Sequence, residues 1–345
     1  MKKYHIIVAS CVLIAFAVIF GFCSSSISGS AKSQIDENTN DSTNSAHNAS
    51  VHLVSLPYIP ERVEFAGEPL PLNMFDVYES LEREMIVVMN FHSSTIQHIK
   101  KSARFFPVIE PILAANGIPD DFKYLAVIES DLMNKISPRG ATGFWQFMKA
   151  AATENGLEIN AEVDDRYNVE KSTVAACKYL KGAYRVFGNW TMVAASYNMG
   201  VGGLSNQVKR QQCNNYYDLL LNDETTRYIY RIAAEKLILS DTRRYGFFVP
   251  EDERYKPIPY TEVEVNTAVN DLVEFAFKNQ TNYKMLKYLN PWLRDSKLTN
   301  AAKKTYRVKI PAEGFRGDLS HRIDRKEADK IDEAGENSNL EDINK

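Results

Sequence analysis

Hydrophobic residues repeat at helical spacing along most of the chain between residues 76 and 244. Three or four positions separate successive apolar side chains, which is the pattern of helices that bury one face. No convincing alternation of the strand type occurs in this range. The stretches with helical spacing are residues 77–89, 105–113, 168–183, 190–198 and 225–240. The pattern therefore predicts a unit that is almost entirely helical.

Residues that cap or break helices refine this picture. Asp120 or Asp121 is expected to cap the helix that follows Pro119. Scattered prolines predict little regular structure at residues 51–74. The helix at 190–198 is expected to end at a group of glycines, which favour the left-handed conformation of a helix end. These are Gly200, Gly202 and Gly203.

The pattern changes after residue 250. Strand-like alternation and short helical stretches replace the long helices, in the order strand, helix, helix, strand. The four stretches are residues 262–265, 272–277, 283–289 and 306–310. This order predicts a small α+β module at residues 258–312. Charged and polar residues dominate positions 313–345, which are predicted to be a disordered tail.

The N-terminus differs from the rest of the chain. Lys2 and Lys3 precede a nearly unbroken apolar run at residues 6–22. This pattern predicts a signal peptide or an N-terminal membrane anchor at residues 1–23, with a buried core segment as the less favoured alternative. Residues 24–60 are predicted to be a disordered linker. The chain is therefore expected to be exported to the periplasm or cell envelope, with membrane attachment as one alternative.

Composition and motifs exclude several classes of chemistry. The net charge of −3 gives no electrostatic basis for binding nucleic acid. The six histidines lack the spacing of a metal site, and no glycine motif for phosphate or serine–histidine motif occurs. No cofactor and no metal are predicted. Cys177 and Cys213 leave a disulfide open, although Cys177 lies among alanines and is more readily interpreted as a small buried side chain.

Glu129 is the unusual member of one apolar helix face. The other residues on this face are Phe122, Leu125 and Leu132. Ser137 and Pro138 are expected to end this helix, because a residue before proline avoids the helical region. A loop of small residues follows, and Thr142 is expected to cap the next helix at Phe144.

Apolar surroundings and the carboxyl end of a helix both disfavour a charged carboxylate. Both therefore raise the pKa of Glu129, which would let it donate a proton near neutral pH. The structural alternative is a glutamate at the edge of the face, paired with a nearby lysine or arginine. Asp131 is excluded as its catalytic partner, because residues two apart on a helix point to different sides. Asp164, Asp165 and Glu224 stay open as second carboxylates.

Three sequence elements carry a resemblance to a known family. Glu129-Ser130 is followed at residues 137–148 by the string SPRGATGFWQFM, residues 194–200 read AASYNMG, and Glu224-Thr225 precedes Tyr228. Together they resemble lytic transglycosylases, enzymes with a goose-type lysozyme (SLT) fold that cleave peptidoglycan. The resemblance covers residues 61–247. The C-terminal module resembles a degenerate LysM domain, which binds N-acetylglucosamine in glycans.

The resemblance implies a mainly α, lysozyme-like catalytic domain at residues 61–250, with a core at about 100–245, followed by a βααβ LysM-like module. It implies that Glu129 is the single acid and base, that Tyr197 holds Glu129 or contacts the sugar, and that Asn198 shapes the substrate groove. The implied substrate-binding residues are Ser130, Ser137, Gln146, Met148, Tyr197, Asn198, Glu224 and Tyr228. Trp145 fits the core and a sugar platform equally well.

The implied partner is the peptidoglycan glycan strand, and the implied product carries a 1,6-anhydromuramyl end. Two alternatives stay open. The first is a lysozyme-type peptidoglycan hydrolase, whose product has a reducing end. The second is a catalytically inactive protein that only holds cell-wall glycan.

Overall fold

The computed structural model describes residues 55–316, 322–323, 327–328 and 330. The predicted export segment at residues 1–23 lies outside these ranges, as do most of the predicted linker and tail. Within the described part, no helix is both long enough and apolar enough to cross a lipid bilayer.

A helical domain forms the larger part of the described chain. A two-stranded hairpin, β1 (Glu64–Phe65) and β2 (Glu68–Pro69), precedes it. The helices are α1 (Phe75–Asn90), α2 (His92–Ala115), α3 (Lys123–Ser130), α4 (Lys149–Glu154), α5 (Val169–Phe187), α6 (Trp190–Met199), α7 (Val201–Gln211) and α8 (Asp223–Ser240). The predicted mainly helical architecture is confirmed.

Asparagine side chains cap the starts of three helices of this domain. Asn168, Asn189 and Asn222 each accept a hydrogen bond from a backbone N–H in the first turn, at the starts of α5, α6 and α8. Such caps satisfy donors that a helix leaves unpaired. The helices then bury a single core, in which α8 packs against α1, α3 and α6.

The C-terminal module has the predicted strand–helix–helix–strand order. Its elements are β3 (Tyr260–Val265), α9 (Leu272–Lys278), α10 (Tyr283–Leu289) and β4 (Tyr306–Pro311). The strands are antiparallel, and Val263 lies opposite Val308. The module shares its core with Val163 and Tyr167 of the helical domain. It is therefore packed directly onto the segment that leads into α5.

The end of α3 differs from the prediction. The helix ends at Ser130, and the next residue, Asp131, adopts the left-handed conformation with φ 53°. Ser137 and Pro138 are therefore not its end. Asp121 does not cap it, because its carboxylate accepts hydrogen bonds from the backbone N–H of Ala66 and from Lys236 instead.

The loop at residues 131–148 also differs from the prediction. Thr142 forms backbone bridges to Ile136 and Phe147, and no α-helix begins at Phe144. The next helix, α4, begins at Lys149 without a side-chain cap. The cause is local pairing, because the small residues of the loop let its backbone fold back on itself.

Two further stretches correct the sequence-based expectations. The β1–β2 hairpin lies in the region at 51–74 that was expected to have little regular structure. Of the three glycines, Gly200 ends α6, whereas Gly202 and Gly203 lie in the first turn of α7, a helix that the pattern did not predict.

Gly143 is fixed by its surroundings as well as by its backbone conformation. Its φ is +82°, and a Cβ at this position would lie 1.9 Å from the carbonyl oxygen of Arg166. Gly140 has a similar φ of +83°, but nothing lies within 4 Å of the place of its Cβ. The two positions therefore separate conformational strain from steric overlap.

We expect Gly143→Ala to destabilise the fold more than Gly140→Ala. Alanine at a left-handed position costs about 1 kcal/mol at either site, and forcing a methyl group against fixed backbone adds about 2 kcal/mol at Gly143 alone. Urea unfolding of both variants measures the difference. Equal losses of stability would show that the approach of Arg166 does not constrain the loop.

Candidate active site

Glu129 lies in the last turn of α3 and is partly exposed to solvent. Its neighbour across the core is Tyr228 on α8, which is buried. The Tyr228 hydroxyl donates a hydrogen bond to Glu129 Oε1. Arg231, one turn further along α8, donates to the backbone carbonyl of Ile128 at 3.1 Å. Two side chains of one helix therefore hold the end of α3.

The surroundings of Glu129 favour its protonated form. Burial raises the pKa of this carboxyl to about 7, although the hydrogen bond from Tyr228 and the positive charge of Arg231 act to lower it. The negative charge of Glu224 contributes a further increase. A carboxyl with this pKa is substantially protonated near neutral pH and can act first as an acid and then as a base. The geometry thus agrees with the sequence-based interpretation of this residue.

Tyr197, which was expected to hold Glu129 or to contact the sugar, is hydrogen-bonded to the loop after α3. Its hydroxyl donates to the backbone carbonyl of Trp145 at 2.7 Å, and its ring packs edge-on against Trp145, Phe147 and Tyr179. The hydroxyl that reaches Glu129 belongs to Tyr228 instead. Tyr197 therefore supports the loop after α3 from beneath.

Three predicted residues shape or lie on that loop. Ser137 Oγ accepts a hydrogen bond from the backbone N–H of Ala141 at 3.0 Å. The Gln146 side-chain amide donates to the carbonyl of Gly143 at 2.8 Å, and its own backbone is left-handed. Met148, at the end of the loop, is 48 % exposed. The first two fix the shape of the loop, and the third is free to contact a ligand.

The remaining predicted residues differ in their exposure to solvent and in their hydrogen-bond partners. Ser130 is 1 % exposed and its hydroxyl donates to the carbonyl of Ala126, so it does not face a substrate. Tyr228 is equally buried and contacts Glu129 rather than solvent. Asn198 accepts a hydrogen bond from Thr225 at 2.7 Å, which joins α6 to α8. Glu224 is exposed beside the site.

The candidates for a second carboxylate have different surroundings. Asp164 pairs with Arg166 at 2.7 Å and Asp165 pairs with Lys171 at 2.9 Å, so both carboxylates serve the scaffold. Glu224 is the candidate whose charge reaches Glu129. Of these three candidates, Glu224 is therefore the carboxylate beside Glu129.

Two residues of the site were missed in the sequence. His98 lies seven positions before Phe105, on the apolar face predicted for α2, and Glu235 lies seven positions after Tyr228 on α8. A polar residue at a buried helical position is the signal that points to both. His98 lies between Glu235 and Asp131 in the structure.

The open alternatives for Trp145 and the cysteines are resolved. Trp145 is fully buried and its indole N–H donates to Thr173, so it belongs to the core. Cys177 and Cys213 are free thiols, and burial raises the pKa of Cys177 to about 11. Cys177 is thus a small buried side chain.

Two cavities border the site. One, of about 480 Å³, lies between α1, α2, α3 and α8, and its walls include Ile128, Asp131, Glu224 and Arg231. The other, of about 490 Å³, lies between the helical domain and the C-terminal module. Its walls include Leu132, Phe144, Tyr288 and Trp292. The residues just after Glu129 therefore separate two spaces that can admit a ligand.

Comparisons with protein families agree with this geometry. Residues 107–220 match the transglycosylase SLT domain. Over about a third of the chain, this stretch therefore resembles an SLT domain. Residues 261–314 match the soluble lytic transglycosylase C-terminal LysM-like domain. The resemblance noted in the sequence is confirmed, and the α-helical SLT domain carries Glu129 and the loop that follows it.

Two curated relatives resemble part of the chain. The membrane-bound lytic murein transglycosylase D of Escherichia coli (strain K12) is 27 % identical over 148 residues, which are 41 % of this chain and 33 % of the relative. A putative tributyltin chloride resistance protein of Alteromonas sp. (strain M-1) is 31 % identical over 107 residues, or 30 % of this chain and 52 % of the relative. The chain thus spans about a third to a half of the length of these relatives.

We expect Glu129→Gln to stabilise the SLT domain chiefly at alkaline pH. The pKa of Glu129 is raised in the folded state. The contribution of its carboxyl to the free energy of unfolding is therefore greatest below the ordinary glutamate pKa and is lost as the pH rises through about 7. Glutamine carries no charge, so at pH 8.5 the free energy of unfolding of the variant should be about 1–3 kcal/mol higher than that of the wild type.

Urea unfolding at pH 5 and pH 8.5 measures this change, with Glu79→Gln on the exposed side of α1 as the control. The gain should fall to about a quarter of this value at pH 5, where the unfolded carboxyl is already partly ionised, and it should be absent from the control. An equal effect of Glu129→Gln at both pH values would contradict the raised pKa.

Proposed function

We propose that the chain is an exported lytic transglycosylase. It cleaves the β-1,4 bond between N-acetylmuramic acid and N-acetylglucosamine in peptidoglycan and leaves a 1,6-anhydromuramyl end. Glu129 is its single acid and base. Residues 61–250 form the catalytic domain, with its core at about 100–245, and residues 258–312 form the LysM-like module.

The observation that carries this proposal is the placement of the Glu129 carboxyl, which lies within the stretch that matches the SLT domain and accepts a hydrogen bond from the Tyr228 hydroxyl. A glycosidic oxygen is a poor leaving group until it receives a proton, and Glu129 with a pKa of about 7 is suited to supply one. The hydrogen bond from Tyr228 keeps the carboxyl in one orientation. A protein that only binds glycan has no use for a carboxyl whose pKa is raised to about 7.

The reaction proceeds in two steps. Protonated Glu129 donates its proton to the glycosidic oxygen as the bond from this oxygen to C1 of the muramyl residue breaks. The muramyl 2-acetamido group stabilises the cation that develops at C1. The Glu129 carboxylate then accepts the proton of the muramyl 6-hydroxyl, whose oxygen attacks C1 and closes the anhydro ring. Glu129 is protonated again and no water is consumed.

The arrangement of carboxylates favours a lyase over a hydrolase. An inverting hydrolase needs a second carboxylate that activates water, and a retaining one needs a second carboxylate as the nucleophile. Asp164 and Asp165 are held in ion pairs with Arg166 and Lys171. Glu224, Met148 and Asn198 remain as residues that line the substrate groove in this proposal, whereas Ser137 and Gln146 hold its loop.

The two cavities are lined by the neighbours of Glu129 and not by Glu129 itself, and in this proposal they take the two directions of a glycan strand. The cavity next to the C-terminal module presents the exposed aromatic side chains of Tyr260 and Tyr288, which are of the kind that stack against sugar rings. The LysM-like module would hold the strand there. The lysine-flanked apolar run at residues 6–22 supports export, and retention of this segment would keep the enzyme at the membrane of the cell envelope.

We expect the full-length chain to release 1,6-anhydromuropeptides from purified sacculi. Glu129→Gln should abolish release, because the amide cannot donate a proton and then accept one, and should keep binding to sacculi. Mass spectrometry of the soluble products is the measurement, and Glu79→Gln is a control with the same chemical change on the exposed surface of α1.

Each alternative function has its own outcome. Products heavier by one water than the anhydro form would identify a hydrolase. Retained binding to sacculi without release by wild type or variant would identify a protein that only holds the glycan. Release by Glu129→Gln at the wild-type rate would remove Glu129 from the mechanism.

A further inference from the structure

A buried histidine lies behind Glu129. His98 on α2 is 5 % exposed, and each nitrogen of its ring faces a carboxylate. Its Nε2 lies 2.9 Å from Asp131 Oδ1, and its Nδ1 lies 3.0 Å from Glu235 Oε1. Both nitrogens must carry hydrogen to satisfy two carboxylate acceptors, which only the imidazolium form does.

The charges around this ring support that form. Burial would lower the pKa of His98, but hydrogen bonds to Asp131 and Glu235 outweigh burial and raise it to about 9. The His98 hydrogen bond holds the pKa of Asp131 well below its usual range, and Lys135 adds to the effect. Lys101 of α2 donates to the backbone carbonyl of Asp131 at 3.1 Å.

Other charged side chains line the cavity of about 480 Å³ that His98 also lines. Glu84 of α1 forms an ion pair with Arg227 of α8 at 2.7 Å, so the charges of these two side chains cancel. Asp223, Glu224 and Arg231, also on α8, are the other charged side chains in the walls of this cavity.

His98 joins the two elements that form the catalytic hydrogen bond. Asp131 follows α3 directly, two residues after Glu129, and its left-handed backbone turns the chain into the loop. Glu235 lies two helical turns after Tyr228 on α8, so both point to the same side of that helix. The bridge through His98 therefore spans the same gap as the hydrogen bond from Tyr228 to Glu129.

Within the described residues, no other group can replace His98 in this bridge. Glu235 Oε2 has no hydrogen-bond partner, and its other oxygen accepts from His98. Without the imidazolium, buried Glu235 would lose its hydrogen-bond partner and face the partly exposed carboxylate of Asp131. Repulsion would separate the end of α3 from α8, because a buried charge without a partner is strongly unfavourable.

We propose that His98 is a positioning residue for Glu129, whose bridge between Asp131 and Glu235 sets the hydrogen bond from Tyr228 to the catalytic carboxyl. The proposal rests on the role of Glu129 in the proposed function. His98 itself touches no substrate, and it acts by holding the carboxyl-terminal turn of α3 at a fixed distance from α8.

The test is a titration of Glu129 by the ¹³C shift of its carboxyl carbon. The full-length chain is labelled at glutamate, and Glu129→Gln assigns the signal. Tyr228→Phe removes the donor and should raise the pKa of Glu129 by about 1 unit, because a hydrogen bond to the carboxylate lowers it. His98→Gln should also raise the pKa of Glu129, because the hydrogen bond from Tyr228 is lost when α3 moves.

A double variant separates positioning from simple loss of charge. If His98 acts through Tyr228, then His98→Gln should add less than about 0.3 pH unit to the shift in the Tyr228→Phe background, the usual mark of two groups acting through one contact. A full additional shift in that background would overturn the proposal, as would an unchanged pKa of Glu129 in a folded His98→Gln variant.

Asp131→Asn provides a second route if His98→Gln does not fold. Asparagine tolerates the left-handed conformation and still accepts a hydrogen bond from His98, although more weakly. Removing a negative charge would by itself lower the pKa of Glu129, whereas a loosened α3 would raise it. An increase supports the positioning role, and a decrease contradicts it.

Glu110→Gln is the matched control, because Glu110 and Lys123 join α2 to α3 at the other end of α3, at 2.7 Å. It should leave the pKa of Glu129 within about 0.2 unit of the wild type. An equal shift in this variant would reduce His98 to a general contributor to stability. These titrations need no turnover, so a failure of the proposed function would not affect their outcome.

Discussion

The hydrogen bond from Tyr228 to Glu129 is the contact on which the geometry of the site depends. It crosses from α8 to the last turn of α3, between a buried hydroxyl and a carboxyl that the surrounding core disfavours as an anion. Burial raises the pKa of the carboxyl, and the hydroxyl limits how far it rises. The balance of these two effects leaves an acid that can give up a proton near neutral pH and take it back.

The rest of the helical domain serves to keep these two elements in register. Helix α8 packs against α1, α3 and α6, and Arg231 holds the backbone at Ile128. The loop after α3 is fixed separately, by Tyr197 from below and by its own backbone bridges at Thr142. The acid and the loop are therefore fixed by different contacts.

Much of this architecture could be predicted from the sequence, and the failures have physical causes. Helical spacing predicted the long helices, since burial of one face determines that pattern, and the position of Glu129 on such a face pointed to its raised pKa. The predicted end of α3 was wrong. Pro138 can be recognised in the sequence as a helix breaker, whereas the left-handed conformation of Asp131 accompanies contacts with His98 and Lys135 outside the helix.

The roles of the two tyrosines required the structure. Both belong to motifs that the sequence revealed, but the motifs do not specify which hydroxyl reaches the carboxyl. Tyr197 points toward the backbone of the loop and Tyr228 toward Glu129, a result of how α6 and α8 cross the core. His98 was missed because its partners lie 33 and 137 positions away in the chain.

The pH dependence of anhydromuropeptide release tests the central claim most directly, that Glu129 enters the reaction as a protonated acid. The maximal rate should be highest at mildly acidic pH and should fall about tenfold per pH unit above a pKa near 7, where the carboxyl loses its proton. A rate that rises through pH 7 and levels off above it would show that the reaction begins from the carboxylate, which would contradict the account.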